Sequence, residues 1–171
     1  MLIEALSGLL GTAVGTIITV YSTKKIENKR LEIEAARTLV NEITIYLNHI
    51  KRIDKYIKKN DQLEIQELSY EEKDRENQNL LEKVNEQIDE VQTHQYRIDA
   101  IVYSESSEEK HPLYEVHKEM TTKLRIEIEK LNGIHQNDYN DNGRKISEKN
   151  LNSIINTYLK ETSQFLKNVS T

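Results

Sequence analysis

The chain almost lacks the residues that interrupt helices. Pro112 is the only proline among 171 residues, only five residues are glycine, and neither type occurs between Thr16 and Asn60. Proline removes a helical hydrogen bond and glycine costs backbone entropy, so their scarcity favours long helices. Apolar residues recur at helical spacing through most of the chain. The sequence therefore predicts an all-α protein of about four helices.

The one long apolar run, from Leu2 to about Ser22, is sorted by residue type around a helix. Leucine, isoleucine and valine occupy mainly one half of the helical surface, and glycine, serine and threonine occupy the other. About twenty helical residues span the ~30 Å hydrocarbon core of a bilayer. The polar half carries no Lys or Arg, which distinguishes it from a helix lying on the membrane surface. We therefore predict a transmembrane helix over residues 1–22.

A basic collar follows this span. It comprises Lys24, Lys25, Lys29 and Arg30, whereas the amino end offers only Glu4 and the terminal amine. Basic flanks remain in the cytoplasm. The expected topology is a single pass through the cell membrane, with the N-terminus outside and residues 23–171 in the cytoplasm.

The small, hydroxylic face of the span is the strongest candidate for a contact in the membrane. Gly and Ser at every fourth position let helix backbones approach closely, and Thr hydroxyls can bond across the contact. We therefore interpret this face as a site of self-association. The alternatives are a face that merely tolerates small residues and a face that lines a water-filled pore. The residues of this face are Ser7, Gly8, Gly11, Thr12, Gly15, Thr16 and Thr19.

The cytosolic part is predicted to form an antiparallel helical bundle or coiled coil, with helices over residues 23–59, 69–103, 112–132 and 147–169. The first helix continues from the span without a hinge, and Ile43 and Ile50 occupy core positions of its heptad. Asn60-Asp61 is the first turn signal, and Ser69 to Glu72 fits a capping box. In the second helix the expected apolar register includes Leu81, Val84, Ile88, Val91, Ile98 and Val102, interrupted by Gln95.

Two charged segments suggest binding sites but have simpler explanations. Asp138, Asn140 and Asn142 space oxygen ligands as in the first half of an EF-hand calcium loop, but Lys149 stands where the bidentate carboxylate belongs. An Asn/Asp/Gly-rich turn is the favoured interpretation. The basic run Lys51, Arg52, Lys55, Lys58 and Lys59 precedes an acidic run from Glu64 to Glu76, so we expect charge pairing within the first hairpin.

No motif indicates an enzyme. The five histidines show no HExxH motif or other tight ligand spacing, and there is no glycine-rich phosphate loop. We therefore expect surface or boundary histidines, no cofactor and no metal. The net charge of −5 argues against nucleic-acid binding, and the absence of cysteine excludes thiol chemistry and disulfides. The histidines are His49, His94, His111, His117 and His135.

The layout of the first fifty residues resembles that of small single-pass membrane proteins of bacteria, phages and mobile elements. The matching features are the glycine-containing span, the collar at Lys24-Lys25 and Lys29-Arg30, and the charged helix from Ala35 to Ile43. The resemblance implies a membrane location and no particular activity or functional residue.

Two functions from different classes fit these features. The first is a membrane-anchored helical interaction or scaffold module that self-associates and presents a cytosolic helical surface to an unidentified protein partner. The second is a membrane-perturbing effector, holin-like or defence-related, whose assembled spans form an ion pathway. Dissipation of membrane potential on expression distinguishes the second from the first.

Overall fold

The computed structural model describes the backbone of residues 2–103, 111–134 and 141–171, and the side chains of residues 21–60, 62–63, 66–103, 111–130 and 148–171. The helices are α1 (Leu2–Ile65), α2 (Tyr70–Val102), α3 (Tyr114–Ile134) and α4 (Asp141–Ser170). The prediction of an all-α protein with four helices is confirmed.

The helices pack as an antiparallel bundle. In the α1–α2 hairpin, His49 faces Gln87 and Glu42 faces His94, so the two helices run in opposite directions. The second hairpin pairs α3 with α4, and α4 lies along α1. The bundle therefore consists of two hairpins that pack against each other mainly along α1 and α4.

One apolar core fills the bundle. Its side chains recur at spacings of three and four residues, which place them on one face of each helix. Ile43 and Ile50 are fully buried at its centre, as the heptad predicts. The buried members are Leu39, Ile43, Tyr46, Leu47, Ile50, Ile53, Ile57, Ile98, Val102, Leu113, Met120, Leu124, Leu151, Ile155 and Tyr158.

The helix boundaries depart from the predicted ones in three helices. Helix α1 continues past the turn signal at residue 60 to Ile65, and the burial of Leu63 in its last turn favours that extension. Helix α3 runs from Tyr114 to Ile134, two residues later at each end than the predicted range 112–132. Helix α4 begins at Asp141 rather than at residue 147.

The start of α2 follows the sequence prediction, whereas its buried face is shifted. Ser69 is the N-cap, its Oγ accepts from the Glu72 amide, and the Glu72 carboxylate accepts from the Ser69 amide at 3.0 Å. Leu80 is 2% exposed and Leu81 is 51% exposed, so the predicted register is wrong by one residue at this end. His94, and not residue 95, then continues the buried stripe toward Ile98.

No helix is long and apolar enough to cross a membrane among the residues whose side chains the structure describes. Those side chains begin at Tyr21. The span over residues 1–22 lies mainly outside them and stays a prediction.

Candidate functional site

The basic collar lies on the exposed part of α1, before the core begins. Lys24, Lys25, Lys29 and Arg30 are all exposed. Lys29 Nζ donates to the main-chain oxygen of Thr171 at 3.0 Å, and Arg30 pairs with Glu34 on the next turn of α1. The Lys29 contact places the collar beside the end of α4.

An open groove of about 870 Å³ runs between the collar and the end of α4. Helix α1 contributes Tyr21 and lysine side chains, and the facing wall includes Pro112, Phe165 and Val169. This end of the bundle therefore combines positive charge with apolar surface. The small-residue face that the sequence analysis singles out, from Ser7 to Thr19, lies outside the side chains that the structure describes.

A chain of three polar side chains crosses the core from α2 through α3 to α4. His117 is 0% exposed. Its Nε2 lies 2.6 Å from Asp99 Oδ1, and its Nδ1 bonds to Tyr158 Oη. Because a carboxylate only accepts, Nε2 carries the proton and Nδ1 accepts from the tyrosine hydroxyl. Each buried polar atom of the imidazole thus has a partner.

The surroundings of these three side chains favour the uncharged forms of His117 and Tyr158. Burial lowers the pKa of His117, and the hydrogen bond and charge of Asp99 only partly oppose that shift. Burial also raises the pKa of Tyr158, with the charge of Asp99 as one lesser contribution. The phenol therefore keeps the proton that it donates to His117. Because the His117 imidazole is fully buried, a substrate cannot reach it. The three hydrogen-bonded side chains instead order the core.

A second histidine cluster lies between α1 and α2. His94 Nδ1 is 2.6 Å from Glu42 Oε2, and His49 Nδ1 is 2.9 Å from Gln87 Oε1. The two imidazole rings stack with centroids 5.4 Å apart and planes inclined by 20°. Glu90 lies one helical turn before His94, with its Oε2 3.9 Å from His94 Nε2. The cluster brings two imidazoles and a carboxylate to one place.

The expectation that the histidines are surface or boundary residues is therefore wrong for two of them. His117 is fully buried, and His94 is 7% exposed. The positions of these two histidines in the sequence already indicate their burial. His94, Ile98 and Val102 recur every fourth residue, and His117 stands four residues after Leu113 and seven before Leu124. A histidine at a position of an apolar stripe indicates a buried, hydrogen-bonded imidazole.

The basic run of α1 pairs only in part with the acidic run of the same hairpin. Lys59 lies 3.7 Å from Glu76 of α2, as the sequence analysis expects. Lys58 instead bonds to Asp54 on its own helix at 2.6 Å and lies 3.5 Å from Glu148 of α4. Burial lowers the pKa of Lys58, but these two acidic partners outweigh it and raise the pKa overall.

The calcium-loop hypothesis falls mainly outside the described residues. Asp138 and Asn140 lie there, and Asn142 belongs to the first turn of α4, with its side chain undescribed.

Comparison with known proteins adds no relationship. The chain matches no protein-family model, and no curated protein and no solved structure matches it. Functional inference therefore rests on the chain itself.

Proposed function

We propose that this chain is a membrane-anchored helical interaction module. Residues 1–22 cross the cell membrane with the N-terminus outside, and the bundle lies in the cytoplasm. Copies of the chain self-associate through α1, and the bundle presents a helical surface to a protein partner. No catalytic step and no nucleic acid form part of this proposal.

The observation that carries the proposal is the continuity of α1. A single helix runs from Leu2 to Ile65, whereas the buried core on α1 begins only at Ala36. The last residue of the chain lies beside Lys29, so α1 continues for more than twenty residues beyond that contact. At 1.5 Å per residue the extension is about 40 Å long. A helix of this length can carry both a stalk and a span.

The stalk supports self-association because it exposes apolar side chains. Ile26 is 70% exposed. On a straight helix Ile26 lies about three turns beyond Gly15, and Ile33 lies about two turns beyond Ile26, so both continue the small-residue face of the predicted span. A second α1 packed along this line would cover glycines in the membrane and isoleucines outside it.

The bundle also offers surface for a different protein. Tyr96 and Ile101 are exposed apolar residues on α2, outside the core. Aromatic residues such as tyrosine are enriched at protein interfaces relative to the rest of the surface. These two residues are the candidate contacts on the bundle.

The test measures association of the full chain in membranes by energy transfer between two labelled copies. Gly11→Leu inserts a bulky side chain where two backbones meet, and we expect it to weaken pairing by about 1–2 kcal/mol. Ile26→Glu should also weaken it, because a charge replaces an exposed apolar contact. The matched control is Leu10→Ala, on the opposite half of the helix.

Equal responses of the glycine and leucine variants would show that the small-residue face is not an interface. A collapse of membrane potential on expression of the unmodified chain would instead favour the effector function.

A further inference from the structure

We propose that His49, Glu90 and His94 form a Zn²⁺ site that clamps α1 to α2. Each of the three residues can place one ligand atom within 4.8 Å of the other two. Ligand atoms of a tetrahedral Zn²⁺ site lie roughly 3.3 Å apart, given metal–ligand bonds of about 2.0–2.1 Å. The three ligand atoms are therefore somewhat farther apart than in a formed site, and the side chains would close in on a bound ion. The proposal does not depend on the membrane anchor.

The helical geometry explains why these residues meet. Glu90 and His94 are four residues apart on α2, so their side chains lie on the same face one turn apart. His49 reaches them from α1, where it is half-buried between core positions 47 and 50. His94 is nearly fully buried, and Glu90 is exposed. The site thus opens to solvent on the Glu90 side, which gives a metal ion a path of entry.

The outer hydrogen bonds orient both imidazoles for metal binding. Glu42 accepts from His94 Nδ1 at 2.6 Å, and Gln87 Oε1 accepts from His49 Nδ1 at 2.9 Å. Since both oxygens are acceptors, each Nδ1 carries the hydrogen and each Nε2 keeps its lone pair. Histidine ligands of metals characteristically donate their second ring nitrogen to a carboxylate or carbonyl oxygen in this way.

The Glu42 carboxylate that holds His94 has a charged partner of its own. Arg97 lies 3.7 Å from the second oxygen of the Glu42 carboxylate, Oε1. This contact supports the charge and orientation of the group that holds His94.

The donor set selects the kind of metal. Two imidazole nitrogens and one carboxylate oxygen suit Zn²⁺, whereas Mg²⁺ and Ca²⁺ prefer all-oxygen ligands. Three protein ligands leave a further position for water. Since the unfolded chain does not hold these ligands together, binding of Zn²⁺ stabilises the folded hairpin.

The experiment uses the full chain stripped of metal with a chelator. Addition of Zn²⁺ should give one binding event per chain by calorimetry and raise the unfolding midpoint by roughly 5–10 °C when free Zn²⁺ is about a hundredfold above the Kd. Mg²⁺ should give neither effect. Co²⁺, added in place of Zn²⁺, should develop the visible absorption of a site with nitrogen and oxygen ligands.

Variants assign the binding to these residues. His49→Gln and Glu90→Gln each remove one ligand at a position that is not fully buried, and each should abolish the Co²⁺ absorption and the rise in midpoint. Gln87→Leu keeps all three ligands but frees the His49 ring, and should weaken binding by about 10–100-fold. The matched control is Glu86→Gln, an exposed carboxylate one turn before Glu90 on α2.

Two results would overturn the proposal. One is the absence of any Zn²⁺-dependent rise in the midpoint of the unmodified chain. The other is unchanged Zn²⁺ binding in either the His49→Gln or the Glu90→Gln variant, which would place the metal elsewhere on the chain.

Discussion

The polar chain through His117 shows how single residues give this bundle a defined arrangement. An apolar core of similar volume tolerates several packings, whereas His117 satisfies its two nitrogens only when Asp99 of α2 and Tyr158 of α4 are both in place. An unpaired buried polar group costs about 1–3 kcal/mol. Alternative packings that separate these side chains incur that cost, so the chain of hydrogen bonds selects one register among three helices.

The depressed pKa of His117 predicts a pH-dependent stability. The folded state holds the imidazole neutral, while the unfolded chain protonates it near the ordinary pKa of 6.5. Stability is therefore unaffected above that pH and falls as the pH decreases below it, because the unfolded state then binds more protons. His111, whose pKa is also lowered chiefly by burial, acts in the same direction.

The measurement is denaturant unfolding of a fragment beginning near residue 25, at several pH values from 7 down to 5. His117→Gln keeps hydrogen-bonding groups but cannot titrate, so its stability should fall less steeply than that of the unmodified fragment. Equal slopes would show that His117 contributes nothing to the pH dependence.

The sequence could have indicated the burial of these histidines but not their partners. The positions of His94 and His117 in apolar stripes are visible in the sequence. Glu42 and His94 are 52 residues apart, and His117 and Tyr158 are 41 residues apart. Such pairs depend on which helices become neighbours and at what register, and helical periodicity specifies neither.

At the scale of the element, α1 dominates the molecule because its stripe supplies seven of the buried core side chains, from Leu39 to Ile57. Their spacing predicted the buried face, with Ile43 and Ile50 at its core positions. Local turn signals predicted the helix ends less well. Asn60 is itself buried, and tertiary burial outweighed the turn preference there.

The central α1 residues provide a direct test of this core. Ile43 and Ile50 are both fully buried, and truncation of such a side chain to alanine costs about 2–5 kcal/mol through lost burial and the resulting cavity. Ile43→Ala and Ile50→Ala should each lower the free energy of unfolding of the fragment beginning near residue 25 by that amount.

The matched control is Asn48→Ala, which lies on the exposed face of the same helix and should change stability by less than about 0.5 kcal/mol. A fragment that is unfolded before any substitution, or indifferent to all three, would contradict a self-sufficient bundle.

At the scale of the whole molecule, one helix, α1, runs from the bundle into the predicted span. The bundle is a packed unit with a core and defined polar contacts, and α1 continues from it through the basic collar toward the predicted span. The expected orientation rests on the lysines and arginine that directly follow the predicted span. The central claim is therefore that α1 anchors a cytoplasmic bundle in the membrane.

Cysteine accessibility tests this claim most directly, because the natural chain contains no cysteine and a single introduced one is the only thiol. Asn48→Cys places a thiol on the exposed face of α1 within the bundle, and a cysteine added directly after Met1 in a second variant reports the other side. In intact cells, the Asn48→Cys thiol should be protected and the N-terminal thiol should react with an impermeant reagent. Both thiols should react after permeabilisation. The chain should also stay in the membrane fraction after alkaline extraction. Rapid labelling of the Asn48→Cys variant in intact cells, or recovery of the chain in the alkaline extract, would contradict the claim.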